Sequence, residues 1–207
     1  MLSLQEILSV PTAPSADELQ CDVWDDENRL NYSQDGTRLL DAENFPEEVS
    51  VHHGCKVICD GVFAFRDYMA DVPAGSEVPL EERCSFLAEI DLPATLTHIG
   101  VEAFAECGAM ERIHLPESLL LIGDAAFLDC WSLEQLRVPD SVRIIGASAF
   151  MGCINLRTLI LGAGVEYIGP DALHDFESLR KILVPKGMAD RYAALLPKKF
   201  TKRIKEK

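Results

Sequence analysis

His52, His53, Cys55 and Cys59 place two imidazoles and two thiols close together in the chain, and these are the ligand types that suit zinc. Cys107 and Cys130 raise a second kind of chemistry, a thiol nucleophile served by His98 or His114. Such a thiol has to be exposed and has to ionise easily. A third candidate is a surface. Glu89 and Asp91, Arg112 and His114, Gln135 and Arg137, Thr158 and Ile160, and Lys181 and Leu183 recur as flanking pairs at a step of 23 residues. In an extended chain the two neighbours of an inward residue point outward together. These ten residues therefore define one face, suited to contact with a partner and not to a reaction. Trp131 sits at a variable position nearby, and an exposed Trp is a common contact hot spot.

The elements that position these residues follow from the same step. Ile-Gly recurs at 99–100, 122–123, 145–146 and 168–169, always 23 residues on. Ala-Phe recurs at 103–104, 126–127 and 149–150, with Ala172-Leu173 next. Cys107, Cys130 and Cys153 keep the step, with Cys84 one period earlier, and so do Pro93, Pro116 and Pro139. Glycine makes up only about 7% of average composition, so four in phase with four isoleucines mark an internal repeat. Within one unit, Leu133, Leu136 and Val138 alternate as in a half-buried strand. Pro139 stops that strand, Val142 to Ile145 is a second short extended run, and Ala147 to Gly152 has room for one helical turn. Stacking such units buries a core that no single unit has. Equivalent residues then form ladders of Phe, Ile, Leu and Cys.

This frame weighs on the candidates. Ladder cysteines are predicted to be buried among apolar neighbours, the opposite of what a nucleophile needs. His52 takes a Pro-turn position and Cys59 takes a Gly position, so the four metal-type side chains are spread over a strand, a turn and a second strand. No G-x-S-x-G, P-loop, G-x-G-x-x-G or H-E-x-x-H stretch occurs.

The unit L-x-x-I-x-L-P-x-S-V-x-x-I-G-x-x-A-F-x-x-C, matched almost position by position over 116–138 and 139–161, resembles the BspA-like leucine-rich repeat of treponemal and Bacteroides-group bacteria and some protozoa. The resemblance implies a repeat solenoid of short β-strands and helical turns with a parallel strand ladder, and an interaction role. The family motif brings no catalytic residue. No cofactor and no metal are expected, and the chain is not expected to be an enzyme.

The organisation expected along the chain starts with an N-terminal helix and acidic linker, 1–29. Ser3-Leu4-Gln5-Glu6 reads as a capping box, and residues 17–27 read as loosely ordered. The solenoid spans 30–184. A hairpin cap at 30–41 turns at Asp35-Gly36. A worn first repeat, 51–92, carries an 18-residue acidic insertion between Phe63 and Cys84, because Val51, Ile58 and Phe63 reappear 41 residues later as Leu92, Ile99 and Phe104. Four repeats follow at 93–115, 116–138, 139–161 and 162–184. A C-terminal helical cap on Met188, Tyr192, Leu195 and Leu196 and a solvated basic tail, Lys198 to Lys207, occupy 185–207.

The net charge of −15 lies entirely in residues 1–91, with 20 acids against 5 bases, whereas residues 92–207 hold 14 of each. That balance argues against nucleic acid as a partner. No apolar run approaches the ~18 residues of a membrane span. The first residues, with Glu6 and Pro11 and no basic start, make a poor signal peptide. The expectation is a cytoplasmic protein-interaction module that binds a protein partner. A cell-surface adhesin and a metal- or thiol-dependent enzyme are the alternatives.

Overall fold

Residues 2–20, 23–43, 46–64, 86–174 and 178–207 are described by a computed structural model. Helix α1 (Leu4–Leu8) opens at Ser3, whose hydroxyl accepts from the Glu6 amide at 3.2 Å while the Glu6 carboxylate accepts from the Ser3 amide at 2.7 Å. One turn and a half of helix is not stable alone, and this one is held by burying Ile7 against Leu121 and Ile144. Strands β1 (Val23–Asp25), β2 (Leu30–Tyr32) and β3 (Arg38–Ala42) form an antiparallel meander. The β2–β3 turn carries Gly36 at φ +69°, and Asp35 accepts from the Thr37 amide at 3.0 Å and from the Ser33 and Thr37 hydroxyls. Those bonds, the Thr37 amide first, hold its carboxyl down at about 2. The acidic stretch expected to be loose instead contributes a 3-10 turn (Glu18–Gln20) and β1. Its two large apolar residues, Val23 and Trp24, are exposed, and β1 is held through its backbone to β2.

The remaining strands come in two kinds. β4 (Glu48–Ser50), β6 (Glu89–Asp91), β9 (Gln135–Arg137), β11 (Thr158–Ile160) and β13 (Lys181–Val184) precede the turn of their repeat. β5 (Val57–Ile58), β7 (His98–Ile99), β8 (Leu121–Ile122), β10 (Ile144–Ile145) and β12 (Tyr167–Ile168) follow it. The second kind joins the meander in an eight-stranded sheet, β1-β2-β3-β5-β7-β8-β10-β12, parallel from β3 onward. Equivalent residues pair in register, as Ile99 with Ile122 and Ile122 with Ile145. Successive repeats approach so closely that a Cβ on Gly123 would sit 2.6 Å from the Gly100 carbonyl carbon. That approach, not a special φ, is why the position is glycine.

The third side of each coil was expected to hold a helical turn. It holds turns instead, with left-handed residues at Glu102, Ala125, Ser148 and Asp171 and again at Glu106, Asp129 and Gly152. Its donors alternate between the next repeat, as Phe127 N to Ala149 O and Asp129 N to Met151 O, both at 2.8 Å, and turns within the repeat, as Leu128 N to Ala125 O at 3.0 Å. Inside this side the rings of Phe63, Phe104, Phe127 and Phe150 stack at 5.3, 5.2 and 5.8 Å. Beside them Cys107, Cys130 and Cys153 donate to the carbonyls of Phe63, Phe104 and Phe127 at 3.5, 3.1 and 3.2 Å. The thiol thus fills space and also satisfies a buried carbonyl that would otherwise lack a partner.

The C-terminal end departs from the sequence expectation. Helix α2 (Ala189–Leu195) buries Tyr192, whose hydroxyl donates to Gly162 O. The basic tail is not free. Phe200 is buried within a 3-10 helix (Lys198–Arg203), and β14 (Ile204–Glu206) then pairs in parallel with β13. The open edge of β13 draws this segment in, because each unpaired backbone group there gains a partner.

Candidate functional site

The proposed contact face lies on β4, β6, β9, β11, β13 and β14. Registered pairing aligns Gln135, Thr158 and Lys181 in one row and Arg137, Ile160, Leu183 and Lys205 in a second. At the other end Glu48 aligns with Glu89 and Ser50 with Asp91. Glu89, Asp91, Arg112, His114, Gln135, Arg137 and Lys181 are exposed, whereas Thr158, Ile160, Leu183 and Trp131 are half-buried. Glu48, Ser50 and Lys205 were missed from sequence. The 41-residue offset that relates Val51 to Leu92 would have found the first two. Lys205 has no repeat motif around it and reaches the row only through the pairing of β14.

Charges on the face are not all available to a partner. Arg137 reaches Glu117 at 2.6 Å, and Arg157 approaches Glu134 at 3.7 Å. Glu89, Asp91, Glu111 and Arg112 make no ion pair among the described residues. The strand expected at Arg112–His114 does not form. This face is therefore split into a two-stranded sheet, β4-β6, and a four-stranded one, β14-β13-β11-β9. A groove of about 1030 Å³ opens at the split, lined by Glu89, Ile90, Arg112, Ile113, His114 and Gln135 among others.

The residues considered for metal and thiol chemistry are placed differently. Cys55 and Cys59 are fully buried, while His52 and His53 are exposed. The His52 ring accepts from the Gly54 amide at 3.0 Å and lies edge-on to Tyr32. Burial pushes the Cys55 thiol up to about 11 and the Cys59 thiol to about 12. Cys55 is as inaccessible as the ladder thiols. Cys21 and Cys84 lie outside the described residues. Among the described residues no three His, Cys, Asp or Glu side chains are grouped to hold a metal ion. His98 is also buried, with Nε2 3.1 Å from Ile7 O and Nδ1 2.8 Å from the Thr97 hydroxyl. Its partners are thus on α1 and at the residue before its own strand, and Cys107 and Cys130 bond to carbonyls. Among the described residues no helix is long and apolar enough to cross a membrane.

The sequence profile of the BspA type leucine rich repeat region matches residues 82–193, in 6 copies. No curated protein sequence matches the chain. Among solved structures it is similar to the Treponema pallidum leucine-rich repeat protein TpLRR, at 21% identity and TM-score 0.60, covering 83% of this chain and 71% of that one. It is similar to a leucine-rich cell surface protein of Faecalibacterium prausnitzii at 19% identity and TM-score 0.66, covering 85% of this chain and 42% of that one. It also resembles the pneumococcal vaccine antigen PcpA, at 24% identity and TM-score 0.58, covering 75% of this chain. This chain spans 35% of the length of PcpA.

Proposed function

For a chain that belongs to the BspA-type leucine-rich repeat family, we propose the role of a non-catalytic module that presents its strand face to a protein partner. The carrying observation is the registered alignment of chemically different outward residues on a rigid ladder: acidic on β4 and β6, mixed on β9, apolar and basic on β11 to β14. Fixing side chains in rows before contact lowers the ordering cost of association, and repeat proteins bind along such extended surfaces. The test compares wild type with Glu89→Lys, Arg137→Glu and Ile160→Asp variants in pull-downs from native lysate, circular dichroism confirming the fold. A specific captured protein lost in these variants, but retained with Asp171→Lys on the turn side, supports the reading. Capture insensitive to all face substitutions sinks it.

A second reading, display at the cell surface as an adhesin, is favoured by the description of the Faecalibacterium neighbour as a cell surface protein. The first reading goes with a cytoplasmic location. Fractionation of the source cells, with immunodetection of this chain, decides between the two.

A further inference from the structure

The split in the strand face is a local feature of this chain, and it exposes what the rest of the ladder conceals. The inward residues Leu136, Leu159 and Ile182 are 0%, 1% and 0% exposed. The residues at the same repeat position beside the split, Ile90 and Ile113, are only half-buried. No backbone hydrogen bond joins Arg112, Ile113 or His114 to β6 or β9, and the one remaining link is Glu134 N to Glu111 O at 3.5 Å. Among the described residues the backbone donors and acceptors of 112–114 have no partners, and they lie above an apolar floor. Of the charged residues that line the groove, Glu89, Glu111 and Arg112 make no ion pair among the described residues, two carboxylates against one guanidinium.

We propose that the split is a docking slot for an extended segment of a partner protein that alternates basic and apolar side chains. This rests on the reading of the strand face as an interaction surface and names the part of it that takes a peptide. An extended segment satisfies exposed backbone groups by strand-like pairing. Alternation then sends every second side chain down onto Ile90 and Ile113 and the others toward the rim, where Glu89 and Glu111 select Lys or Arg. An acidic segment meets like charges at two of the three rim positions that lack an ion pair among the described residues and is disfavoured.

The probes are two fluorescein-labelled octapeptides, (Lys-Val)4 and (Glu-Val)4, titrated with the full chain and followed by anisotropy. The expected result is binding of (Lys-Val)4 that weakens as salt rises, and little or none of (Glu-Val)4. The Glu89→Lys/Glu111→Lys double variant should weaken (Lys-Val)4 about tenfold, since each reversal places like charges in contact. Ile113→Ser, which removes apolar contact and adds no charge, should weaken it by a similar factor at low and high salt. Asp171→Lys, a reversal of the same sign on the turn side, should leave it unchanged. Equal binding of the two peptides, or an equal loss in Asp171→Lys, overturns the slot. So does a change in size-exclusion elution of the double variant, which would make the groove a contact between copies of this chain. If the slot fails while capture of a partner still depends on Arg137 and Ile160, the slot alone is lost. If capture ignores the whole face, the functional reading goes with it.

Discussion

Phe127→Ala removes an inner ring of a four-ring stack. Phe127 is fully buried, 5.2 Å from Phe104 and 5.8 Å from Phe150 between ring centroids. Large-to-small aromatic changes in cores cost about 3–5 kcal/mol, depending on how far the site collapses. Here collapse is restricted, because the backbone on both sides is tied across repeats, as in Phe104 N to Ala126 O and Phe127 N to Ala149 O at 2.9 and 2.8 Å. Two ring contacts of about 0.5–1.5 kcal/mol each are also lost, partly counted already in the range for such substitutions. The expected cost is therefore near its upper end, about 5 kcal/mol. Phe150→Ala loses one ring contact instead of two and should cost nearer the lower end, about 3 kcal/mol. Urea unfolding followed by far-UV circular dichroism measures both, with Phe127→Leu as a milder variant should the alanine variant fail to fold. A loss below about 1 kcal/mol for Phe127→Ala, or a larger loss at Phe150, would refute the reasoning that flanking repeats deny relaxation.

Removing residues 204–207 deletes β14, which pairs Ile204 with Ile182, and also Glu206, which accepts from the Gly187 and Ala189 amides at 2.9 and 3.3 Å. Trimming a merely solvated tail would be mild. With the edge of β13 reopened, the truncated chain should instead self-associate on size-exclusion chromatography, and an elution like that of the full chain would retire the edge-sealing role. Burial holds the His98 imidazole below its usual range, although its bond to Ile7 O pulls the other way. The docking of α1 is therefore fully supported above the ordinary histidine pKa of about 6.5 and is lost as pH falls through the lower folded value. Hydrogen exchange at Ile7 to Val10 should accelerate on acidification in wild type and much less in His98→Gln, and parallel profiles would remove His98 as the cause. Burial also pushes the Cys130 thiol well up, and its Sγ donates to Phe104 O. It should resist a thiol reagent until urea unfolds the chain, so rapid native labelling would contradict the ladder.

The 23-residue step is enough to determine the stacked architecture and the identity of the inward residues. Each period returns the same side chain to the same place, so Phe104, Phe127 and Phe150, or Ile99, Ile122 and Ile145, must meet if the coils stack at all. The absence of any catalytic motif, and the outward pairs from Glu89 to Leu183, are legible for the same reason. The period cannot show where the regularity fails. Arg112-Ile113-His114 reads like its counterparts in the other repeats, yet its backbone does not join the ladder. The left-handed turn residues Glu102, Ala125, Ser148 and Asp171 share no residue type, since closing the coil against its neighbours sets their φ. Helix α1 depends on Leu121 and Ile144, more than a hundred residues away in sequence. β14 contains one apolar residue and has no strand signal of its own. Only the unsatisfied edge of β13 makes it a strand, because a backbone hydrogen bond needs a partner at a position in space, and local sequence does not specify that position.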